Sequence, residues 1–98
     1  MLHNVEVDQP LLAAVARRLA KEIIDTGSVG FTKHAEAEMA KDTLASVDVI
    51  NVLRGGVYAE AEWENAGWRH QVFTQRIVVV IEFESESELT IITAWRKR

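Results

Sequence analysis

The sequence contains no cysteine among its 98 residues. Disulfide bonds and thiolate zinc sites are therefore excluded, and the hydrophobic core must stabilise the fold without covalent help. A long hydrophobic run is also lacking, since the longest, Ile77 to Ile81, is too short to cross a bilayer. The N-terminus lacks the basic start and apolar stretch of a signal peptide. We therefore expect a cytoplasmic protein without membrane partners.

An excess of positive charge is absent as well. The formal net charge is −4, which argues against a protein that coats nucleic acid non-specifically, because such binding depends on surplus lysine and arginine. The charges are nevertheless segregated. Glutamates alternate from Glu60 to Glu64 and again from Glu82 to Glu88, whereas the chain ends in three cations after Trp95. This pattern predicts a local basic site on an acidic body.

The composition is that of one globular domain. Hydrophobic residues make up 48% of the chain and charged residues 27%, far from the signature of disorder. A chain of this length closes a single core. We therefore predict one domain over residues 1–98, with residues 1–30 as a helical extension of a core over residues 31–98.

Helical periodicity dominates the N-terminal half. Apolar residues recur at three- and four-residue spacing from Leu12 to Ile23, and Thr32 offers an N-cap for a second helix. A third helix would end at Gly55 and Gly56, the residue type that best adopts a left-handed C-cap. The predicted helices span about residues 10–26, 33–42 and 45–54.

The period changes to two after these glycines, which indicates strands. Asn65, Ala66 and Gly67 read as a turn between the first two. Helices followed by strands predict an α+β fold in which N-terminal helices pack on a four-stranded antiparallel sheet. The predicted strands span residues 57–64, 68–73, 76–83 and 89–95. On the last two strands, alternation predicts one face buried under the first helix. This face is made of Ile77, Val79, Ile81 and Phe83 together with Ile91, Thr93 and Trp95 or their partners.

Three groups of polar residues are candidates for chemistry, and each has an ordinary structural alternative. His34 lies one turn before Glu38, where the two side chains either share a proton or metal ion or form a surface pair. Arg69 and Gln71 share one strand face, which is either a ligand surface or a solvated one. The glutamates from Glu60 to Glu64 either supply a general base or protect a sheet edge from aggregation. Phosphate-binding glycine loops, nucleophile elbows and metal-ligand pairs are absent.

A family resemblance adds to this reading. The segments Phe31-Thr32-Lys33-His34-Ala35, Val52-Leu53-Arg54-Gly55-Gly56 and Ile91-Ile92-Thr93-Ala94-Trp95 resemble a bacterial family of uncharacterised small domains. That family opens with F-T-x-H-A-x-x-R-M and is grouped with RelE/MqsR-type toxins, whose fold is N-terminal helices on a four-stranded antiparallel sheet. One departure is clear, because Glu38 stands where the family has an arginine.

The resemblance implies a metal-independent endoribonuclease, or mRNA interferase, of a toxin–antitoxin pair. Such enzymes need no cofactor and position RNA so that its 2′-hydroxyl attacks the adjacent phosphate. The implied partners are an antitoxin protein and mRNA or the ribosome, with a homodimer as a further possibility. The alternative is a non-catalytic protein-interaction module, or degenerate relative, of the same fold. The implied catalytic residues are His34, Arg69, Gln71 and Arg76, and the implied RNA-binding residues are Lys33, Trp95 and Arg96.

Overall fold

The computed structural model describes residues 6–98, so the first five residues of the predicted N-terminal extension lie outside the described part. Within residues 6–98 the chain forms three helices and six strands, in the α+β class that the sequence predicts. No helix in this range is long and apolar enough to span a membrane. The elements are α1 (Ala13–Thr26), β1 (Ser28–Phe31), α2 (Lys33–Lys41), α3 (Ser46–Gly55), β2 (Val57–Tyr58), β3 (Glu62–Glu64), β4 (Gly67–Phe73), β5 (Ile77–Ser85) and β6 (Glu88–Arg96).

The sheet is mixed and has six strands, rather than the four antiparallel strands predicted. Its order is β1-β6-β5-β4-β2, with β3 also paired to β4. Strand β1, which lies between the first two predicted helices and is not among the predicted strands, pairs in parallel with β6. This strand contains Ser28 and Gly30, residue types that are typical of loops, and its partner strand lies about sixty positions further along the chain. Local patterns therefore did not reveal it.

The core lies between one face of the sheet and the helices. Residues of α1 such as Leu19 and Ile23 pack in the same cluster as Val79, Ile81 and Leu89 of the long strands, and all five are at most 1% exposed. Helix α1 begins at Ala13 rather than at residue 10. The Ala13 N–H donates to the carboxylate of Glu60 at 3.0 Å, so a distant side chain replaces a local cap.

A bulge divides the predicted strand 57–64 into β2 and β3. Tyr58 pairs with Val72, but Glu62 pairs with Arg69. The segment that joins β2 to β3 therefore has three residues where β4 has two. The extra residue reverses the alternation. Val57 is consequently exposed, whereas the Tyr58 side chain is buried and its hydroxyl donates to the Leu53 carbonyl at 2.8 Å. Burial raises the pKa of Tyr58.

A second bulge lies in β6 and also reverses the predicted alternation. Val80 pairs with Thr93, while Ile81 pairs with Ile91, which leaves Ile92 as the additional residue. Ile91 therefore faces the core, whereas Thr93 and Trp95 face the opposite side of the sheet. The prediction that all three share the buried face is wrong for Thr93 and Trp95.

Gly55, the last residue of α3, and Gly56, which follows it, do not form the predicted left-handed cap. Gly56 is the C-cap with φ −79° and ψ 175°, an extended conformation that other residues adopt readily. It is required for another reason. A Cβ at Gly56 would lie 2.6 Å from the Val52 carbonyl oxygen and 2.9 Å from that of Phe73, because the end of α3 passes close to β4.

Candidate functional site

The face of the sheet opposite α1 and α3 carries a cleft of about 530 Å³. Ligand sites are typically concave spaces of this order of size. Gln71, Val80 and Thr93 form its floor, since they are neighbours in register across β4, β5 and β6. The cleft is lined by Thr32, His34, Glu64, Asn65, Arg69, Gln71, Val80, Ile92, Thr93 and Trp95.

The bulge in β6 positions one wall of this cleft. Two carbonyl groups of the bulge accept hydrogen bonds from Thr32. The Thr32 N–H donates to the Ile91 carbonyl at 3.1 Å, and the Thr32 hydroxyl donates to the Ile92 carbonyl at 2.9 Å. The same hydroxyl accepts the Ala35 N–H at 2.9 Å and so caps α2, as the sequence predicts. Helix α2 therefore starts at the cleft, and His34, in its first turn, lies at the rim.

The β3–β4 hairpin supplies the opposite wall. Its two-residue loop, Asn65-Ala66, has positive φ at both positions, 50° and 64°, as the tight turn of a hairpin requires. Arg69 lies behind this turn with a side chain that is 15% exposed. Its guanidinium contacts Glu64 at 2.9 Å and Glu82 at 3.2 Å, and these two carboxylates fix its position.

Four of the predicted residues converge on the cleft, namely His34, Arg69, Gln71 and Trp95. They come from α2, β4 and β6, so the fold brings together positions up to about sixty residues apart. Trp95 is partly buried and gives the cleft an aromatic surface.

The other three predicted residues lie elsewhere. Lys33 and Arg76 are exposed and do not line the cleft. Arg96 caps the C-terminus of α2, donating to the Asp42 carbonyl at 2.7 Å and to the Thr43 carbonyl at 3.2 Å. The alternative in which His34 pairs with Glu38 is not seen, because the Glu38 carboxylate instead contacts the Lys41 ammonium group at 2.9 Å.

Arg96 and Arg98 form a clasp around Asp42, whose side chain is 7% exposed. Arg98 donates to both carboxylate oxygens, at 3.3 Å and 3.1 Å, and the Arg96 N–H donates at 2.8 Å. The hydrogen bond from the Arg98 side chain and that from the Arg96 N–H hold the pKa of Asp42 below its ordinary value of 3.8.

This clasp gives the protein a predicted pH dependence. A carboxyl group whose pKa is lowered by folding stabilises the fold above its unfolded pKa, and the contribution is lost as the pH falls through the lowered value. We expect Asp42→Asn to lower the melting temperature at pH 7 and to have no effect well below pH 3.8. Thermal melts over a pH series measure this difference. Asp25→Asn, at an exposed ion pair with Arg54, is the control, and an equal effect of both substitutions would refute the clasp.

Metal ligands are not grouped at the cleft. Among residues 6–98, no three His, Cys, Asp or Glu side chains are close enough together to hold a metal ion. The sequence did not indicate Asn65 or Thr93 as lining residues, and it offered Glu64 only as one of three glutamates that either supply a general base or protect a sheet edge. The alternating glutamates before the turn indicated that one strand face is acidic. Only the geometry of the hairpin decides which of these glutamates reaches the cleft.

The fold and the cleft together define a small α+β domain with a polar and aromatic site on the open face of its sheet. Residues 31–96 match the family described as Domain of unknown function (DUF4258). Because this range is more than half of the chain, the protein belongs to that family. The matched segment contains the whole cleft and leaves out α1. No curated protein and no solved structure matched the chain.

Proposed function

We propose that the protein is a toxin-like, metal-independent endoribonuclease whose active site is the cleft on the open sheet face. The observation that supports this proposal most is the convergence of His34, Arg69, Gln71 and Trp95 on one concave surface. RNA transesterification requires a proton-transfer group, a cation at the phosphate and a means of holding the nucleotide within one site. The RelE/MqsR-like relationship belongs to the same proposal.

Each of these side chains has a role that suits its chemistry. His34 exchanges a proton with the reacting oxygen atoms, since an imidazole ring carries one nitrogen that accepts a proton and one that donates it. Arg69 stabilises the negative charge that develops on the phosphate, because its two carboxylate contacts leave N–H donors available. Gln71 hydrogen-bonds the nucleotide from the cleft floor, and Trp95 stacks on a base.

The proposed partners follow from this activity. A cytoplasmic ribonuclease would damage its host, so we propose a neutralising antitoxin protein that covers the cleft, with mRNA or ribosome-bound mRNA as substrate. Expression of the chain alone should then arrest bacterial growth, and co-expression of the antitoxin should restore it. Unaffected growth would count against a toxin. A homodimer remains a prediction.

A specific observation favours a second candidate, the non-catalytic interaction module. Arg69 is flanked by two carboxylates, and the hairpin next to it displays Trp63, which is 60% exposed and contacts Trp68 edge-on at 5.1 Å. An exposed aromatic pair suits a protein interface, and the neighbouring carboxylates repel an RNA phosphate.

RNA cleavage in the presence of EDTA separates the two candidates. Incubation of the purified protein with mixed-sequence single-stranded RNA should yield fragments that end in 2′,3′-cyclic phosphates, and mass spectrometry identifies these ends. Intact RNA, both free and ribosome-bound, would lead us to adopt the interaction module.

A further inference from the structure

We infer that Glu64 is the general base of the proposed reaction and that His34 is the general acid. The inference rests on the proposed function and deepens it, because it assigns the direction of proton transfer and restricts the substrate to nucleic acid with a 2′-hydroxyl. Glu64 reaches the cleft from β3, whereas His34 reaches it from α2.

The composition of the cleft leaves only these two groups for the task. RNA cleavage by the 2′-hydroxyl needs one group to accept a proton and another to donate one. Among the lining residues, threonine, asparagine, glutamine and tryptophan side chains do not titrate near neutral pH, and an arginine keeps its proton. Glu64 and His34 are the proton carriers of the cleft within the described part of the chain.

The positions of the two residues suit an in-line displacement. The attacking and leaving oxygens lie on opposite sides of the phosphorus atom, so the base and the acid must approach from opposite sides. Strand β3 lies beyond β4, and α2 adjoins β6. Because neighbouring strands are about 4.8 Å apart, the β3 and β6 backbones are separated by roughly 14 Å. Glu64 pairs with Gly67, the first residue of β4, and its side chain reaches back to contact Arg69 at 2.9 Å. The base therefore enters the cleft from the hairpin, whereas His34 enters it from α2.

The chemistry of the two groups assigns the roles. A carboxylate has only acceptor atoms and can take a proton, whereas an imidazolium ring has N–H donors and can supply one. Arg69, 2.9 Å from the Glu64 carboxylate, orients the base and places a cation beside the phosphate. The same guanidinium therefore orients the base and stabilises the negative charge on the phosphate.

The proposed step is balanced in atoms and charge. Glu64 takes the proton of the 2′-hydroxyl while the 2′-oxygen forms a bond to phosphorus. The bond from phosphorus to the 5′-oxygen breaks, and His34 gives its proton to that oxygen. The products are a 2′,3′-cyclic phosphate and a free 5′-hydroxyl. Solvent then takes the proton from Glu64 and returns one to His34.

The structure offers a matched pair of variants to test this assignment. Glu64 and Glu82 both contact Arg69, but only Glu64 lines the cleft. We expect Glu64→Gln to lower the rate of RNA cleavage by about 10²–10⁴-fold, the usual contribution of a general base, and to remove the fall in rate towards acidic pH. Glu82→Gln should keep that acidic fall and change the rate by less than about tenfold. Glu64 is 65% exposed, so the fold should tolerate the change, which a thermal melt checks.

Pre-steady-state pH–rate profiles of the wild type, Glu64→Gln, Glu82→Gln and His34→Gln give separate outcomes. The assignment is supported if Glu64→Gln loses the acidic limb and His34→Gln loses the alkaline limb. It is overturned if Glu64→Gln keeps the acidic limb, or if Glu82→Gln is equally impaired, since Arg69 positioning alone would then explain the loss. In either of those cases a cleaving wild type leaves the proposed ribonuclease intact. RNA that the wild type leaves uncut, both free and ribosome-bound, overturns both proposals.

Discussion

Replacement of His34 by glutamine is expected to lower kcat/KM for RNA cleavage by about 10²–10⁴-fold, the range typical for the loss of a proton-transfer group. The imidazole lies at the cleft rim in the first turn of α2, and glutamine keeps polarity and approximate size without exchanging protons. The residue is exposed, so the free energy of unfolding should change by no more than about 0.5 kcal/mol. Cleavage kinetics and thermal melts measure the two effects separately.

Glu36→Gln is the matched control for this variant. Glu36 is an exposed residue of the same helical turn and does not line the cleft, so its replacement should leave cleavage within a few-fold of the wild type. Equal rates for His34→Gln and Glu36→Gln would exclude His34 from the chemistry.

Truncation of Ile81 to alanine should have the largest effect on stability. Its side chain is completely buried between β4 and β6 in the core cluster. Removal of such a side chain creates a cavity and costs about 2–5 kcal/mol, a large part of the roughly 5–15 kcal/mol that stabilises a domain. Denaturant unfolding monitored by tryptophan fluorescence gives the difference directly.

Val47→Ala provides the comparison for that measurement. Val47 is an aliphatic residue on α3 that is 60% exposed, so its truncation should change the unfolding free energy by at most about 0.5 kcal/mol. A cost below about 1 kcal/mol at Ile81 would contradict the position of the core between α1, α3 and the sheet.

The sequence predicted the elements whose patterns are local. The apolar spacing in α1, the Thr32 cap of α2 and the turn at Asn65 all depend on neighbours in the chain, and the structure confirms each of them. Bulges were not predictable in this way, because a single extra residue such as Ile92 changes the side that every later side chain faces. The parallel pairing of β1 depends on residues in β6.

The same distinction applies to the site. Arg69 and Gln71 were predicted to share one strand face, and both line the cleft. His70, which lies between them in the strand, faces the other side and is buried against the Ala59 carbonyl. Arg96, in contrast, was predicted to bind RNA, but its side chain is hydrogen-bonded to the Asp42 carbonyl. Local patterns do not reveal this contact, because Asp42 precedes Arg96 by more than fifty residues in the sequence. The sequence therefore shows which residues are cationic but not which of them already form tertiary hydrogen bonds.

The most direct test of the account uses DNA oligonucleotides that contain one ribonucleotide each, with adenine, cytosine, guanine or uracil at that position, in the presence of EDTA. The account predicts cleavage only on the 3′ side of the ribonucleotide in at least one of them, with a 2′,3′-cyclic phosphate left on it, and no cleavage of the all-DNA strand. Cleavage of the all-DNA strand at a similar rate would contradict it. Chimeric strands and ribosome-bound RNA that all stay intact at protein concentrations in excess of substrate would contradict it as well.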